Sequence, residues 1–403
     1  MGIIAKGVNK VVAISKEVTW GVAPVAGSAR QLRRVTANFN LKKETYESGE
    51  IRTSQQISDS RHGTKSTEGS LNGELSAGSY FDVMEALLAR DFAAVASMTG
   101  LTITITASGD NYTIARAAGS FLSSGVAPGM VVQLTAGGFA APNLNKNLLV
   151  LAVTALTLTV KVLNASTMTP EAGITAATML VKGKVTYPPL TGHTDQSFCV
   201  EERYTGINQY ERFVGNKVSN MSVKIPSNGL ATVDFTFMGK DMDRADVTPY
   251  FTAPTAQSST GIFSGANGAL MLDGAVIAIV TSADFAVERA TENAAVVGSN
   301  NLVDIFTGRI RANGNLSVYF IDGAVRSKFV DETRFSLTFA LTENNLANAN
   351  VMTFTFPQVK LNSFDRTDGE NGITASGTFM AEENAVTTGG AIATTVMVQD
   401  TSL

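Results

Sequence analysis

Val233-Asp234-Phe235-Thr236-Phe237 alternates apolar and polar residues, and its apolar members are β-branched or aromatic. A period of two sends one set of side chains to a core and the other to solvent or a partner, which is how a half-buried strand reads. The same period recurs at 101–106, 156–162, 337–339 and 352–356. Asn228-Gly229 and Asn313-Gly314 read as turns that punctuate such runs. Helical spacing is confined to two segments. In 80–92, Phe81, Met84, Leu88 and Phe92 share a face, and Ser79 with Asp82 three residues on predicts an N-terminal capping box. In 322–331, from Asp322 to Asp331, Val325 and Phe329 share a face. The chain is therefore mainly β.

An internal repeat follows from working outward. Thr236-Phe237-Met238 returns as Thr378-Phe379-Met380, and Asn228-Gly229-Leu230 as Asn371-Gly372-Ile373. Upstream, Ala37-Asn38-Phe39 returns as Ala283-Asp284-Phe285, and Asn72-Gly73-Glu74-Leu75-Ser76 as Asn313-Gly314-Asn315-Leu316-Ser317. Residues 93–181 interrupt the first copy. They carry only Asp110, Arg116, Lys146, Lys161 and Glu171 as charges, a composition shift that predicts an inserted β domain. Pro249, Pro254 and a Ser/Thr cluster predict a linker at 241–262.

Composition narrows the function. Of 403 residues, 44% are apolar and 16% charged, and the net charge is −4. The charged share is below the roughly 25% of ordinary soluble proteins, which fits a chain that buries surface in its own core and again against neighbours. The charge balance does not suit a nucleic-acid-binding domain. The lone Cys199 excludes an internal disulfide framework. Lys6 and Lys10 precede too short an apolar run for a signal peptide, and no stretch of about 18 apolar residues predicts a membrane span. Folding in a reducing cytoplasm is expected.

Each copy carries a long polar segment before its repeated strand. The first, 42–67, holds Glu44, Glu47, Glu50, Arg52, Asp59, Arg61, His62 and Lys65; the second spans 288–309. Segments this long inside compact domains are functional or disordered, and a protruding hairpin that grips a neighbour accounts for both. Chemistry is sparse elsewhere. His193 and Asp195 suggest a dyad but lack a nucleophile motif, and Cys199 between Phe198 and Val200 reads as core. Asp241, Asp243 and Asp246 resemble part of a calcium loop without its Gly and closing Glu. No glycine-rich phosphate loop occurs. Arg30, Arg33 and Arg34 lack interleaved aromatics and suit inter-subunit salt bridges better than DNA. Trp20 and Pro24 belong to an N-terminal arm that either anchors in the core or reaches a neighbour. Nothing predicts a catalytic, metal or cofactor site, so the chain is expected not to be an enzyme.

Thr19-Trp20-Gly21-Val22-Ala23-Pro24, Leu32-Arg33-Arg34-Val35, Leu41-Lys42-Lys43-Glu44-Thr45-Tyr46, Glu50-Ile51-Arg52 and Arg61-His62-Gly63 stand in an order that resembles the tail tube (major tail) proteins of long-tailed bacteriophages. Thr191-Gly192-His193-Thr194-Asp195, Phe237-Met238-Gly239-Lys240, Val303-Asp304-Ile305-Phe306-Thr307-Gly308-Arg309 and Leu341-Thr342-Glu343-Asn344 extend the resemblance over nearly the whole chain. It implies two tandem tail-tube-type β-sandwich or barrel domains, each with a short flanking helix, plus the inserted small β domain. The expected division is an N-terminal arm at 1–30, a first tube domain at 31–92 and 182–240, an outer β domain at 93–181, a linker at 241–262 and a second tube domain at 263–403. It further implies a virion protein, assembled in the host cytoplasm, whose rings stack into a hollow tube that conducts double-stranded DNA without specific binding. Two domains per chain predict a trimeric ring with pseudo-six-fold symmetry, with a hexamer as the alternative. The remaining expected partners are the tape measure, tail terminator and distal tail proteins; no membrane is involved. The polar segment 42–67 would link rings, and the lumen should be neutral or acidic, since a basic one would hold phosphates. A β-sandwich fibre or adhesin is the competing reading.

Overall fold

The alternating segments are strands throughout the computed structural model, which describes residues 4–164, 167–242, 246–277, 279–321, 323–368, 370, 372–385 and 387–403. The chain begins with β1 (Lys10–Lys16), β2 (Arg30–Gln31), the long pair β3 (Thr36–Glu47) and β4 (Ser60–Glu74), and α1 (Phe81–Leu88). Next come β5 (Met98–Ser108), β6 (Asn111–Arg116), β7 (Val131–Ala136), β8 (Leu148–Val153), β9 (Thr157–Val162) and β10 (Glu171–Val181). The middle holds β11 (Lys184–Thr186), β12 (Phe198–Tyr204), β13 (Gln209–Pro226), β14 (Thr232–Gly239) and β15 (Asp241–Met242). The last part holds β16 (Gly268–Leu272), β17 (Ala275–Ile277), β18 (Val280–Ala294), β19 (Asp304–Tyr319), α2 (Ala324–Val330), β20 (Phe335–Thr342), β21 (Val351–Leu361), β22 (Asp365–Arg366), β23 (Thr374–Ala381) and β24 (Met397–Asp400). No helix among the described residues is long and apolar enough to cross a membrane.

One antiparallel sheet runs β3-β4-β14-β13-β18-β19-β23-β22 through the chain. A second layer covers one face of it. Over the first half this layer is β2-β1-β12 with residues 209–216 of β13; over the second it is β16-β20-β21. Between the layers lie Phe39, Phe213, Phe235 and Phe237 in the first half, then Phe285, Phe339, Phe354, Phe356 and Phe379 in the second. Burying each ring stabilises the fold by roughly 1.5–3 kcal/mol, which is why the alternation persists along these strands.

The same ladder occurs twice. Phe39 stands opposite Gly69, which stands opposite Phe237. Phe285 likewise stands opposite Gly314, which stands opposite Phe379. A Cβ on Gly69 would lie 2.2 Å from the Phe39 ring, and one on Gly314 would lie 2.6 Å from the Phe379 ring, so each glycine makes room for a phenylalanine. This corrects the repeat. Gly69-Ser70-Leu71 matches Gly314-Asn315-Leu316 in the ladder, whereas the match of Asn72-Gly73 with Asn313-Gly314 is out of register. It also corrects a turn: Asn313-Gly314 lies inside β19, while Asn228-Gly229 does turn the chain between β13 and β14. Asn371 lies outside the described residues.

Residues 98–181 close into a barrel in the order β10-β5-β6-β9-β8-β7. It has its own core of Ile103, Ile105, Ile114, Leu134, Val150 and Val160. Val131, Leu149 and Leu151 dock it on Met271, Ala340 and Val351 of the second layer. The Gln399 amide brackets Val131, accepting from its N–H at 2.7 Å and donating to its carbonyl at 3.0 Å.

α1 is shorter than its apolar spacing predicts and is buried on most of its surface. Ala89 ends it in the left-handed conformation at φ 55°. The capping box does not form: Ser79 Oγ shares a hydrogen bond with Ser76 Oγ at 2.7 Å, and Asp82 pairs with Arg30. α2 occupies its predicted place, and Asp322 lies outside the described residues. Residues 10–16 are not an arm but β1, with Val12 and Ile14 buried. The segment expected as a linker is tied to the N-terminal stretch, with Thr252 N–H on Ala26 O and Thr255 N–H on Ala29 O, both at 2.9 Å.

Candidate functional site

Two long hairpins project beyond the layered core. Both polar segments predicted as loops are largely strand: β3 and β4 meet at a tip of residues 48–59, and β18 and β19 at a tip of 295–303. The candidate charges of the first hairpin are strung along it rather than gathered. Arg52 pairs with Glu50 at 3.0 Å and Arg61 with Asp59 at 2.8 Å, all exposed. Such pairs contribute about 0–1 kcal/mol, so they hold the hairpin's shape weakly and leave their outer surfaces for a partner. Glu44 accepts from Tyr46 OH, Glu47 stands opposite Ser60, and His62 stands opposite Thr45. Lys65 lies apart. Its side chain reaches Asp241 at 2.7 Å, and its backbone N–H donates to Asn300 O at 2.9 Å, so the second tip rests on the first hairpin. The sequence reading passed over apolar side chains at the tips: Ile51, Ile57, Val296 and Val297 are exposed. Their signal was available, as apolar residues with no periodic partner inside polar segments.

The main sheet has an internal seam and two ends. At the seam, residues 220–226 of β13 pair with 282–288 of β18. At one end the outward edge of β3 meets only side chains among the described residues. Ala37 O accepts from Lys10 Nζ at 2.8 Å, and Phe39 N–H donates to Glu202 Oε1 at 3.1 Å. Lys10 and Glu202 are themselves paired at 2.7 Å, with Glu202 fully buried. Tyr204 OH donates to Glu202 at 2.7 Å. Burial, and after it the neighbouring Glu202, pushes that phenol above its ordinary range. At the other end, β22 pairs with β23 on one side, and residues 365–368 are exposed.

The sheet face turned away from the core is mostly polar, with Ala286, Tyr319 and Met380 as apolar interruptions. Cross-strand rows such as Asn38–Ser70–Thr236 and Asp284–Asn315–Thr378 are built of Asn, Asp, Ser and Thr. Its charges are Lys42, Lys224, Arg309 and Arg311 against Glu68, Glu74, Asp234, Asp284, Glu288 and Asp365, a net negative balance.

The remaining candidates are satisfied within the chain. Asp195 does not join His193 but pairs with buried Lys217 at 2.5 Å, together with Asp304 at 3.0 Å. Cys199 is buried beside Ala13, Val214 and Phe251. Arg30 donates to Ser79 O, Arg33 to Thr260 O and Arg34 to Gly7 O, so each arginine of the cluster is held by its own chain. Trp20 anchors internally, its indole N–H on Gly215 O at 3.1 Å and Lys240 over its ring. Asp241 is taken up by Lys65, and Asp243 lies outside the described residues. Among the described residues no group of His, Cys, Asp or Glu could hold a metal ion.

No curated protein matches the chain. The family model described as "Phage tail tube protein" matches residues 7–381, which takes in both hairpins, the whole main sheet and the inserted barrel. The chain belongs to the phage tail tube protein family and is a structural component of a phage tail.

Proposed function

We propose that three copies of this chain close into a ring whose inner wall is the continuous sheet, and that rings stack into a tube through which double-stranded DNA passes. The observation that carries this reading is the internal seam: β13 pairs with β18, so one sheet spans both halves and ends in an edge on each side. Each half then acts as one tube unit, and three chains place six units around the axis. Sheet edges template pairing, and ring closure removes them. The polar face would line the lumen, where its net negative balance keeps phosphates from binding. The inserted barrel docks on the second layer, opposite that face, and so decorates the outside.

The hairpins give the second direction of assembly. Their tips expose Ile51, Ile57, Val296 and Val297, and the opposite end of the main sheet exposes Leu230 before β14, Tyr319 and Ile321 at the end of β19, and Ile373 before β23. Stacking would cover both apolar sets. Glu44, Glu47, Glu50, Arg52, Asp59, Arg61, His62 and Lys65 would surround this contact. Such a tube, assembled in the host cytoplasm, needs a tape measure protein and terminator and distal tail proteins at its ends. The family match disfavours a fibre or adhesin.

Negative-stain microscopy of the purified protein tests the reading. Hollow, regularly striated tubes with three outer knobs per ring are expected. Six equal knobs would establish the hexamer, and a stable monomer at every concentration and salt would overturn assembly altogether.

A further inference from the structure

The seam inside the chain is a template for the seam between chains, and this inference rests on the ring reading above. Equivalent positions can be counted along the ladders. Lys217 stands opposite Met238 and Lys360 opposite Met380. Ser222 stands opposite Asp234 and Asp365 opposite Ser376, with one extra residue on the long strand in each case. In the second layer Phe198 and Val200 face Asn216 and Phe213, while Phe335 and Leu337 face Val359 and Phe356, again with the same bulge. Glu202 therefore corresponds to Phe339, Lys10 to Gly268, Val223 to Arg366 and Ile225 to Asp368.

The chemistry changes in concert at these positions. At the internal seam Val223 and Ile225 stand opposite Phe285 and Ala283. Phe339 stacks on Phe285 with ring centroids 5.5 Å apart, and Gly268 leaves room beside Ile225 in one shared cavity. On the core side of that seam each of these positions is apolar, while its outer side carries Lys224 opposite Asp284. At the chain's two ends all four positions are charged. Lys10 and Glu202 sit on the β3 edge, and Arg366 and Asp368 lie exposed on the other. The signs match position by position: Asp368 would arrive at Lys10 and Arg366 at Glu202.

We propose that the β3 edge of one chain pairs antiparallel with residues 363–368 of a second copy, with Asn40 opposite Asp365, Phe39 opposite Arg366 and Ala37 opposite Asp368. In the free chain Lys10 and Glu202 close the edge by occupying Ala37 O and Phe39 N–H. On pairing, those backbone groups bond to the neighbour's backbone, and the two side chains turn to Asp368 and Arg366. The edge is thus guarded until a chain with the matching charges arrives, which suppresses wrong partners.

Paired cysteines test the register in the full-length chain. Asn40 and Asp365 would form a non-hydrogen-bonded cross-strand pair, close enough for a disulfide. Asn40→Cys with Asp365→Cys, oxidised after assembly, should give covalently closed trimers on a denaturing gel, while Asn40→Cys with Thr367→Cys should not. Rings that assemble without the first cross-link, or with the second, would overturn the register and leave the ring reading standing. Wild-type chain that forms no ring at all would remove both. Arg366→Glu with Asp368→Lys alters two exposed side chains and gives up one surface contact, that of Arg366 with the Phe320 ring, so the circular dichroism spectrum should be unchanged while assembly falls at least tenfold; unchanged assembly would also overturn the proposal.

Discussion

Gly314 lacks a side chain because other groups fill its place. A Cβ there would stand 2.3 Å from Asp284 O and 2.6 Å from the Phe379 ring. Gly314→Ala should destabilise the chain by about 1–3 kcal/mol, the usual cost of overpacking, read as a lower urea midpoint with an unchanged slope. Lys182 makes a pH prediction. Its ammonium donates to Asn348 O and Ala349 O, and burial draws its pKa down from 10.5 to about 8. Between those values the unfolded chain holds more protons than the folded one, so stability should rise with pH across about 8 to 10.5. Lys182→Met should flatten that rise in urea titrations; an identical rise in the variant would show that Lys182 is not its source. Cys199 was legible as core from its apolar neighbours. The need for glycine at 314 was not, because the ring that fills its place comes from Phe379, far along the chain.

At the scale of elements, the hairpins were legible by position and polarity, but their strands were not. Residues 42–47 have no apolar alternation because both faces are exposed, and only the backbone ladder to β4 makes them strand. Replacing the tip 48–59 with a short turn should leave the unfolding free energy from urea titration within about 0.5 kcal/mol of wild type, as for surface changes away from the core. Rings should still form while tubes shorten or vanish in micrographs. Long tubes from this variant would show that stacking does not use the first tip. α1 was visible in its helical spacing, but its capping was not. Arg30, which takes up Asp82, approaches through tertiary packing, and Ser79 turns to the neighbouring Ser76 instead of capping the helix.

For the whole molecule, the asymmetry between seams has a kinetic consequence. The core side of the internal seam is apolar, with Lys224 opposite Asp284 on its outer side, whereas the proposed intermolecular seam carries charges on its core side. Ring assembly should therefore slow as salt rises from about 0.05 to 0.5 M, since screening shortens the reach of those charges, while the urea midpoint of the single chain changes little. Light scattering would follow the first and fluorescence the second; assembly that accelerates with salt would point to an apolar seam instead. The alternating runs, the two helices and the recurring Ala-x-Phe and Thr-Phe-Met landmarks by themselves determined a β chain with a repeated plan, because periodicity states which residues share a face. Only the tertiary structure decided the register of that repeat, with Gly69 matched to Gly314, and which sheet edges are closed by side chains. Register depends on which distant strand lies alongside, here Phe39 against Gly69 and Phe237, and on buried partners such as Glu202, none of which a local pattern encodes.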